Sequence, residues 1–122
     1  MHILGVDIGG SGIKGAVVDT VTGELVSERI RIETPQPPTP EAVGLTVKDL
    51  AQRHAWTGPI GIGFPAAIQH GIARTAANVD KTFIGLSIAD LFSTQTGCPV
   101  YVANDADVAG IAWQLDGERL DV

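Results

Sequence analysis

The chain has 122 residues, 44% of them hydrophobic, and its 14 acidic against 8 basic residues give a formal net charge of −6. Such a length is typical of one domain with one core, and the acidic balance argues against a general nucleic-acid or anionic-membrane binder. Cys98 is the only cysteine, which excludes an internal disulfide, and no Cys/His cluster has zinc-ligand spacing. No charged leader and no apolar run of about 18 residues is present, so we expect a soluble, cytoplasmic protein with no nucleic-acid or membrane partner.

The N-terminal segment predicts a glycine-rich hairpin. Apolar stretches at residues 3–6 and 16–18 indicate two buried strands, and the glycines between them permit a tight turn that brings backbone N–H groups close to an anion. Asp7 could hold Mg²⁺ through water, and side chains after it could donate to phosphate oxygens. The predicted phosphate-binding residues are Gly9, Gly10, Ser11, Gly12 and Lys14. The alternative is a plain hairpin whose charged residues are only solvated.

Further along, the pattern predicts a third antiparallel strand and then a helix. Residues 25–33 alternate partly between apolar and polar, as in a half-exposed strand. After several prolines, Thr39 is a predicted N-cap for a helix that ends near residue 54. Its apolar residues recur at spacings of three and four, which predicts a buried face made of Val43, Val47, Leu50 and Ala51.

The second half of the chain alternates strands and helices. A strand is predicted at residues 60–64, followed by short apolar runs at 66–68 and 72–73. Residues 87–96 predict a helix with Ile88, Leu91 and Phe92 inward and Gly97 as its stop. A buried strand at 100–103 and a helix at 106–115 complete the order β-β-β-α-β-β-α-β-α.

The hairpin also carries a family resemblance. The run from Asp7 to Lys14 fits the pattern Asp-x-Gly-Gly-Thr/Ser-x-x-Lys without gaps and resembles the phosphate signature of the ROK sugar kinases, within the sugar kinase, Hsp70 and actin superfamily. The dinucleotide fingerprint and the Walker A pattern both fail here. The resemblance implies an α/β ribonuclease H-like (actin-like ATPase, sugar kinase) domain, with a mixed five-stranded core sheet and helices on both faces.

Three more stretches extend the resemblance. Residues 77–81, Ala-Asn-Val-Asp-Lys, are similar to a segment of ROK polyphosphate glucokinases, which implies that Asn78 binds glucose. The Asn-Asp-Ala run at 104–106 resembles the segment around the catalytic aspartate, which implies that Asp105 is the general base and also contacts the sugar that Asn104 positions. Residues 61–66 resemble the sugar-pocket loop that contains Pro65, although Ala66 stands where many relatives have glycine. Without the resemblance, Asn78 is a turn former and Asp105 caps the last helix.

The resemblance implies phosphoryl transfer from polyphosphate or ATP to the 6-hydroxyl of glucose, with Mg²⁺ as cofactor and mannose as a possible second sugar. We expect residues 1–122 to be a single N-terminal domain, because the family's second phosphate loop and Glu-x-Gly-His-type segment are absent from the sequence. The first alternative is a catalytically silent domain, and a homodimer that covers its apolar face is expected. A ROK transcriptional regulator is the weaker alternative, since no helix-turn-helix precedes the first strand.

Overall fold

The computed structural model describes residues 2–64, 68–69, 72–73 and 81–104. A five-stranded sheet forms the centre of this part of the chain, with the strand order β3-β2-β1-β4-β7. Strands β5 and β6 form a separate two-stranded antiparallel sheet. In chain order the elements are β1 (His2–Ile8), β2 (Gly12–Asp19), β3 (Ile30–Glu33), α1 (Pro40–Arg53), β4 (Ile60–Phe64), β5 (Ile68–Gln69), β6 (Ile72–Ala73), a 3₁₀ turn (Lys81–Phe83), α2 (Ile88–Thr96) and β7 (Val100–Asn104).

The central sheet is mixed, as predicted. Strands β1, β2 and β3 pair antiparallel, whereas β4 pairs parallel with β1 on one side and with β7 on the other. Parallel strands cannot be joined by a short hairpin, and the connections that contain α1 and α2 supply the required crossovers. The carboxyl ends of β1, β4 and β7 therefore lie at the same edge of the sheet.

One face of the sheet packs against both described helices. The register places Leu4 opposite Val17 and beside Ile60, so these side chains share the face that α1 and α2 cover. The buried cluster on this face comprises Leu4, Val6, Ile8, Ile13, Val17, Val43, Val47, Leu50, Ala51, Ile60, Ile62, Phe83, Ile88, Phe92, Cys98 and Val100. The predicted inward residues of the two helices are confirmed, with Leu91 partly buried at the margin. Neither helix has both the length and the apolar run needed to cross a membrane.

The helix ends follow the predicted capping chemistry. The Thr39 hydroxyl accepts a hydrogen bond from the N–H of Ala42 and caps α1, and Pro40 occupies the first helical position. The Ser87 hydroxyl caps α2 in the same way, and α2 ends at Gly97, which has a φ of 73°. The helix predicted at residues 106–115 lies outside the described residues.

Helices α1 and α2 contact each other at a glycine. A Cβ on Gly44 would clash with the Gln95 side chain in its present position, so the glycine leaves room for this amide between the helices. The Gln95 amide donates to the backbone oxygen of Glu41 at 3.3 Å, which ties α2 to the first turn of α1. This contact fixes the two crossover helices side by side.

The third strand is shorter than predicted. Only residues 30–33 form β3, and Leu25 contributes a single isolated bridge to Val18. The Ser27 hydroxyl accepts a hydrogen bond from the N–H of Val17 at 2.8 Å, in the place where a strand backbone would have paired. The N–H of Val26 still donates to the backbone oxygen of Val17 at 2.9 Å, but the ladder goes no further there. The prediction of a strand over residues 25–33 was wrong in its first half, because a side chain takes the place of the next backbone acceptor.

Asp19 organises the turn that follows β2. Its Oδ1 accepts hydrogen bonds from the N–H groups of Val21 at 2.8 Å and Thr22 at 3.4 Å. The bond from Val21 is the main cause that holds the pKa of Asp19 below its ordinary value of 3.8. A carboxylate with a lowered pKa in the folded state stabilises that state above its unfolded value, and this contribution is lost as the pH falls through the folded pKa.

The turn gives a pH-dependent prediction. We expect Asp19→Ala to be less stable than the native chain at pH 6, and the difference to shrink as the pH falls below 3.8. Urea unfolding at a series of pH values measures this difference. Asp19→Asn is the control, because its amide oxygen can accept the same bonds without titrating. A difference between the native chain and Asp19→Ala that is independent of pH would contradict the role of the charge.

A second prediction compares two leucines of α1. Leu50 is 0% exposed, whereas Leu45 is 58% exposed. Leu50→Ala removes core contacts and leaves a cavity, so it should lower the free energy of unfolding by about 2–5 kcal/mol. Leu45→Ala should change it by less than about 0.5 kcal/mol. Urea unfolding measures both, and equal losses would contradict the described position of α1.

Candidate functional site

The glycine hairpin joins β1 to β2 through a loop made of residues 9–11. The N–H of Gly9 donates to the backbone oxygen of Gly12 at 3.0 Å and closes the turn. A Cβ on Gly9 would stand 2.9 Å from that same oxygen, a distance that real Cβ contacts do not reach. Glycine at this position is therefore a requirement of the turn.

All three carbonyl oxygens of the loop accept hydrogen bonds from β3 and the segment after it. The Thr34 hydroxyl donates to the oxygen of Gly9 at 2.6 Å, and the Gln36 side-chain amide donates to that of Gly10 at 3.4 Å. The oxygen of Ser11 accepts two bonds, from the N–H of Thr34 at 3.2 Å and from the Arg31 guanidinium at 3.0 Å. The loop is thus held through its acceptors.

Apart from the N–H of Gly9, which closes the turn, the donors of the same loop remain available. Within the described part of the chain, neither the N–H groups of Gly10 and Ser11 nor the Ser11 hydroxyl has a hydrogen-bond partner. Ser11 is exposed and Gly10 is half-buried, so both can be reached from solvent. A loop whose carbonyls are bound on the protein side and whose N–H groups are open is suited to an anion, because oriented amides attract negative charge.

Asp7 and Lys14 lie next to the loop on neighbouring strands. The antiparallel register pairs Asp7 with Lys14, and the parallel register pairs Asp7 with Gly63 of β4. Directly paired residues share one face, and this face is opposite to the one that α1 and α2 cover. Both charged side chains are half-buried. The register therefore brings the predicted carboxylate and ammonium together beside the glycine loop.

The surroundings of Asp7 fit a Mg²⁺ ion. Glycine at position 63 places no side chain next to the carboxylate on the β4 side. Within the described residues there is no cluster of three or more Asp, Glu, His or Cys that could hold a metal. A single carboxylate suits Mg²⁺, which commonly keeps several waters and takes further ligands from substrate phosphates. Asp7 is the residue that would hold this ion.

Of the residues predicted from sequence to bind the sugar, the structure describes only the backbone of Asn104, which lies at the same edge of the sheet. Asn104 is the last residue of β7, and its backbone pairs with that of Phe64 at the end of β4. Parallel neighbours stand about 4.8 Å apart, so the ends of β1 and β7 are about 10 Å apart across β4. Asp105 and Pro65 follow directly after β7 and β4 in the sequence. The side chain of Asn104, together with Asn78, Asp105 and Pro65, lies outside what the structure describes.

Sequence reasoning missed the residues that hold the loop. Arg31, Thr34 and Gln36 lie 20 to 26 residues beyond their partners in the chain. Their contacts follow from the β2–β3 register, which pairs Gly12 with Glu33 and Lys14 with Arg31. The predicted antiparallel pairing of these strands was a usable signal, but a one-residue uncertainty in register exchanges the two faces.

Comparison with known proteins identifies the family of the chain. The family model described as the ROK family matches residues 3–122. The polyphosphate glucokinase of Mycobacterium tuberculosis is 47% identical over 112 residues, which are 91% of this chain and 42% of that protein. The polyphosphate glucokinase of Mycobacterium leprae is 45% identical over 88% of this chain and 34% of its own length.

This chain belongs to the ROK family. A solved ROK-like neighbour is the inorganic polyphosphate/ATP-glucomannokinase from Arthrobacter sp. strain KM, with a TM-score of 0.79 and 45% identity over 99% of this chain and 51% of that one. The predicted fold and family are confirmed. The chain spans less than half the length of the mycobacterial relatives that it matches.

The support of the ROK hairpin gives a third prediction. Thr34→Val keeps the shape of the side chain, but it removes the donor to Gly9 and leaves an acceptor without its bond. We expect the free energy of unfolding to fall by about 1–3 kcal/mol, and the Gly10 and Ser11 amides to exchange with solvent faster. Urea unfolding and amide hydrogen exchange measure the two effects.

Thr46→Val is the matched control for this prediction. Thr46 is 9% exposed against 5% for Thr34, and its hydroxyl donates to the oxygen of Ala42 one turn earlier in α1. That oxygen belongs to the regular hydrogen-bonding pattern of the helix, so losing the extra donor should cost little. Equal effects of the two variants on loop exchange would contradict the role of Thr34.

Proposed function

We propose that the chain is the lobe of a polyphosphate-dependent glucokinase that contains the phosphate hairpin and the sugar-binding residues. The single observation that supports this most is the glycine loop, whose carbonyls are bound by β3 and the residues after it while the N–H groups of Gly10 and Ser11 stay open beside Asp7 and Lys14. The mycobacterial relatives are polyphosphate glucokinases, and the proposed donor and reaction are taken from them. The proposed phosphate contacts are those of Gly9, Gly10, Ser11, Gly12 and Lys14.

In this proposal the donor binds at the hairpin. The N–H groups of Gly10 and Ser11 donate to oxygens of the terminal phosphate, and the Lys14 ammonium neutralises part of its charge. Asp7 would hold Mg²⁺ through water. Mg²⁺, when bound, draws charge from the phosphate oxygens and so lowers the cost of forming the transition state. The loop amides need no rearrangement, because their carbonyls are already fixed by Thr34, Gln36 and Arg31.

The acceptor binds at the carboxyl edge of β4 and β7. Asn78 and Asn104 hydrogen-bond to glucose hydroxyls, and Pro65 shapes the pocket beside them. Asp105 accepts the proton of the 6-hydroxyl as that oxygen bonds to the terminal phosphorus. The bond from this phosphorus to the bridging oxygen breaks, and the polyphosphate leaves one phosphate shorter. The products are glucose 6-phosphate and a protonated Asp105, which then returns its proton to solvent.

Glucose 6-phosphate formation tests the proposed function directly. The 122-residue chain is assayed with Mg²⁺, glucose and either polyphosphate or ATP, beside Asp105→Asn. We expect turnover with polyphosphate and a loss of about 100-fold or more in the variant, because removal of a general base costs two to four orders of magnitude. Asp49→Asn is the control, since Asp49 is paired with Arg53 on the exposed side of α1.

The outcomes of this assay separate the alternatives. Equal turnover in Asp105→Asn and the native chain would exclude Asp105 as the base. Turnover with ATP alone would change the proposed donor. No turnover with either donor would favour a silent lobe, and a mass that depends on concentration would then indicate a dimer. Mannose is the second acceptor to measure, because the Arthrobacter protein is named a glucomannokinase.

A further inference from the structure

Arg31 extends the charged part of the hairpin site by one strand. The register pairs Arg31 of β3 with Lys14 of β2, and Lys14 with Asp7 of β1. The three residues form a polar row across neighbouring strands on one face, with about 4.8 Å between strands. Arg31 stands at the outer end of the row and is exposed to solvent.

The missing side chain of Gly12 leaves room for the guanidinium of Arg31 against the loop. A Cβ on Gly12 would stand 2.7 Å from the Arg31 Cζ, so the planar group lies over Gly12 where any other residue would displace it. One Nη2–H donates to the oxygen of Ser11 at 3.0 Å. The guanidinium is therefore tied to the loop through the carbonyl oxygen of Ser11, a residue whose own N–H is one of the open donors.

Most of the donor capacity of Arg31 is unused. A guanidinium has five N–H donors, and the bond to Ser11 uses one of them. Among the described residues Arg31 forms no ion pair with a carboxylate, although Glu33 lies two residues away on the same face. An exposed, oriented guanidinium beside a loop with open amides is suited to a phosphate group, which it can bind through two parallel hydrogen bonds.

We propose that Arg31 binds a phosphate unit of a linear phosphoanion next to the unit that the loop amides hold. This inference rests on the proposed function of the hairpin as a phosphate site. A single phosphate bound by the loop amides does not reach Arg31. A chain of phosphates does reach Arg31, at the outer end of the polar row. Arg31 therefore selects for longer phosphoanions rather than for phosphate in general.

The test measures binding of orthophosphate and of tripolyphosphate to the 122-residue chain at one fixed, low ionic strength, by the NMR shifts of the Gly10 and Ser11 amides. Arg31→Gln should weaken tripolyphosphate about tenfold and orthophosphate by less than about twofold. Arg31→Lys keeps the charge without the planar fork and should recover part of the loss. Arg53→Gln is the control, with the same change of charge on α1, and should bind both anions as the native chain does.

Each outcome decides the proposal. A selective loss of tripolyphosphate binding in Arg31→Gln supports it. An equal loss for both anions would show that Arg31 only braces the loop, and no loss for either would remove it from the site; both results overturn the proposal while the phosphate hairpin itself stands. If the native chain binds neither anion, the proposed function of the hairpin fails first, and the role of Arg31 fails with it.

Discussion

The register of β1 is the constraint on which the rest of the described structure depends. This strand pairs antiparallel with β2 on one side and parallel with β4 on the other. Its residues alternate between the two faces, so Leu4, Val6 and Ile8 enter the core while Asp7 points to the opposite face. A slip by one residue would put the carboxylate into the core and three aliphatic side chains on the other face. The hydrophobic pattern that folds the sheet thus also positions the charged residue of the site.

A second constraint is the division of hydrogen bonds at the hairpin. Backbone acceptors of the loop are satisfied by β3 and the residues after it, and this leaves donors as the open groups. An ordinary β-turn at a hairpin tip presents both kinds of group to water. Here the carbonyl oxygens of the loop are bound within the protein, so the groups left for a ligand are N–H donors, although the loop contains no charged residue. Strand β3 is short, yet its position determines which backbone groups of the β1–β2 loop are bound within the protein.

Local signals in the sequence were enough to predict both described helices and most of the described strands. Thr39 with Pro40, and Ser87 with Gly97, mark helix ends because capping chemistry acts within one turn of the chain. The failure at residues 25–29 has the opposite cause. The Ser27 hydroxyl takes the place of a backbone acceptor for the N–H of Val17, and nothing in the alternation of residues 25–33 distinguishes that arrangement from a strand.

The candidate site could likewise be predicted only where its residues are close together in the sequence. The spacing from Asp7 to Lys14 identified the hairpin, because its chemistry is contained in eight consecutive residues. The contribution of Arg31 was hidden, since it depends on which residue of β3 stands opposite Lys14 and on the missing Cβ of Gly12. The roles of Asn78 and Asp105 rest on the resemblance and remain predictions, because neither residue is among those that the structure describes.

The negative net charge of the chain is compatible with a polyanionic donor only if the attraction comes from contacts within the site itself. A chain with a net charge of −6 repels a polyanion at long range, so affinity must come from contacts made within a Debye length of about 8–10 Å. Lys14 and Arg31 stand on adjacent strands, and the loop amides lie beside them, which concentrates donors in a region of that size. In the proposed function such contacts are short-ranged and directional, so they would favour an anion with several linked phosphates over one of equal charge but different shape. The acidic surface would then limit non-specific binding of other polyanions, and the hairpin would supply the attraction that remains.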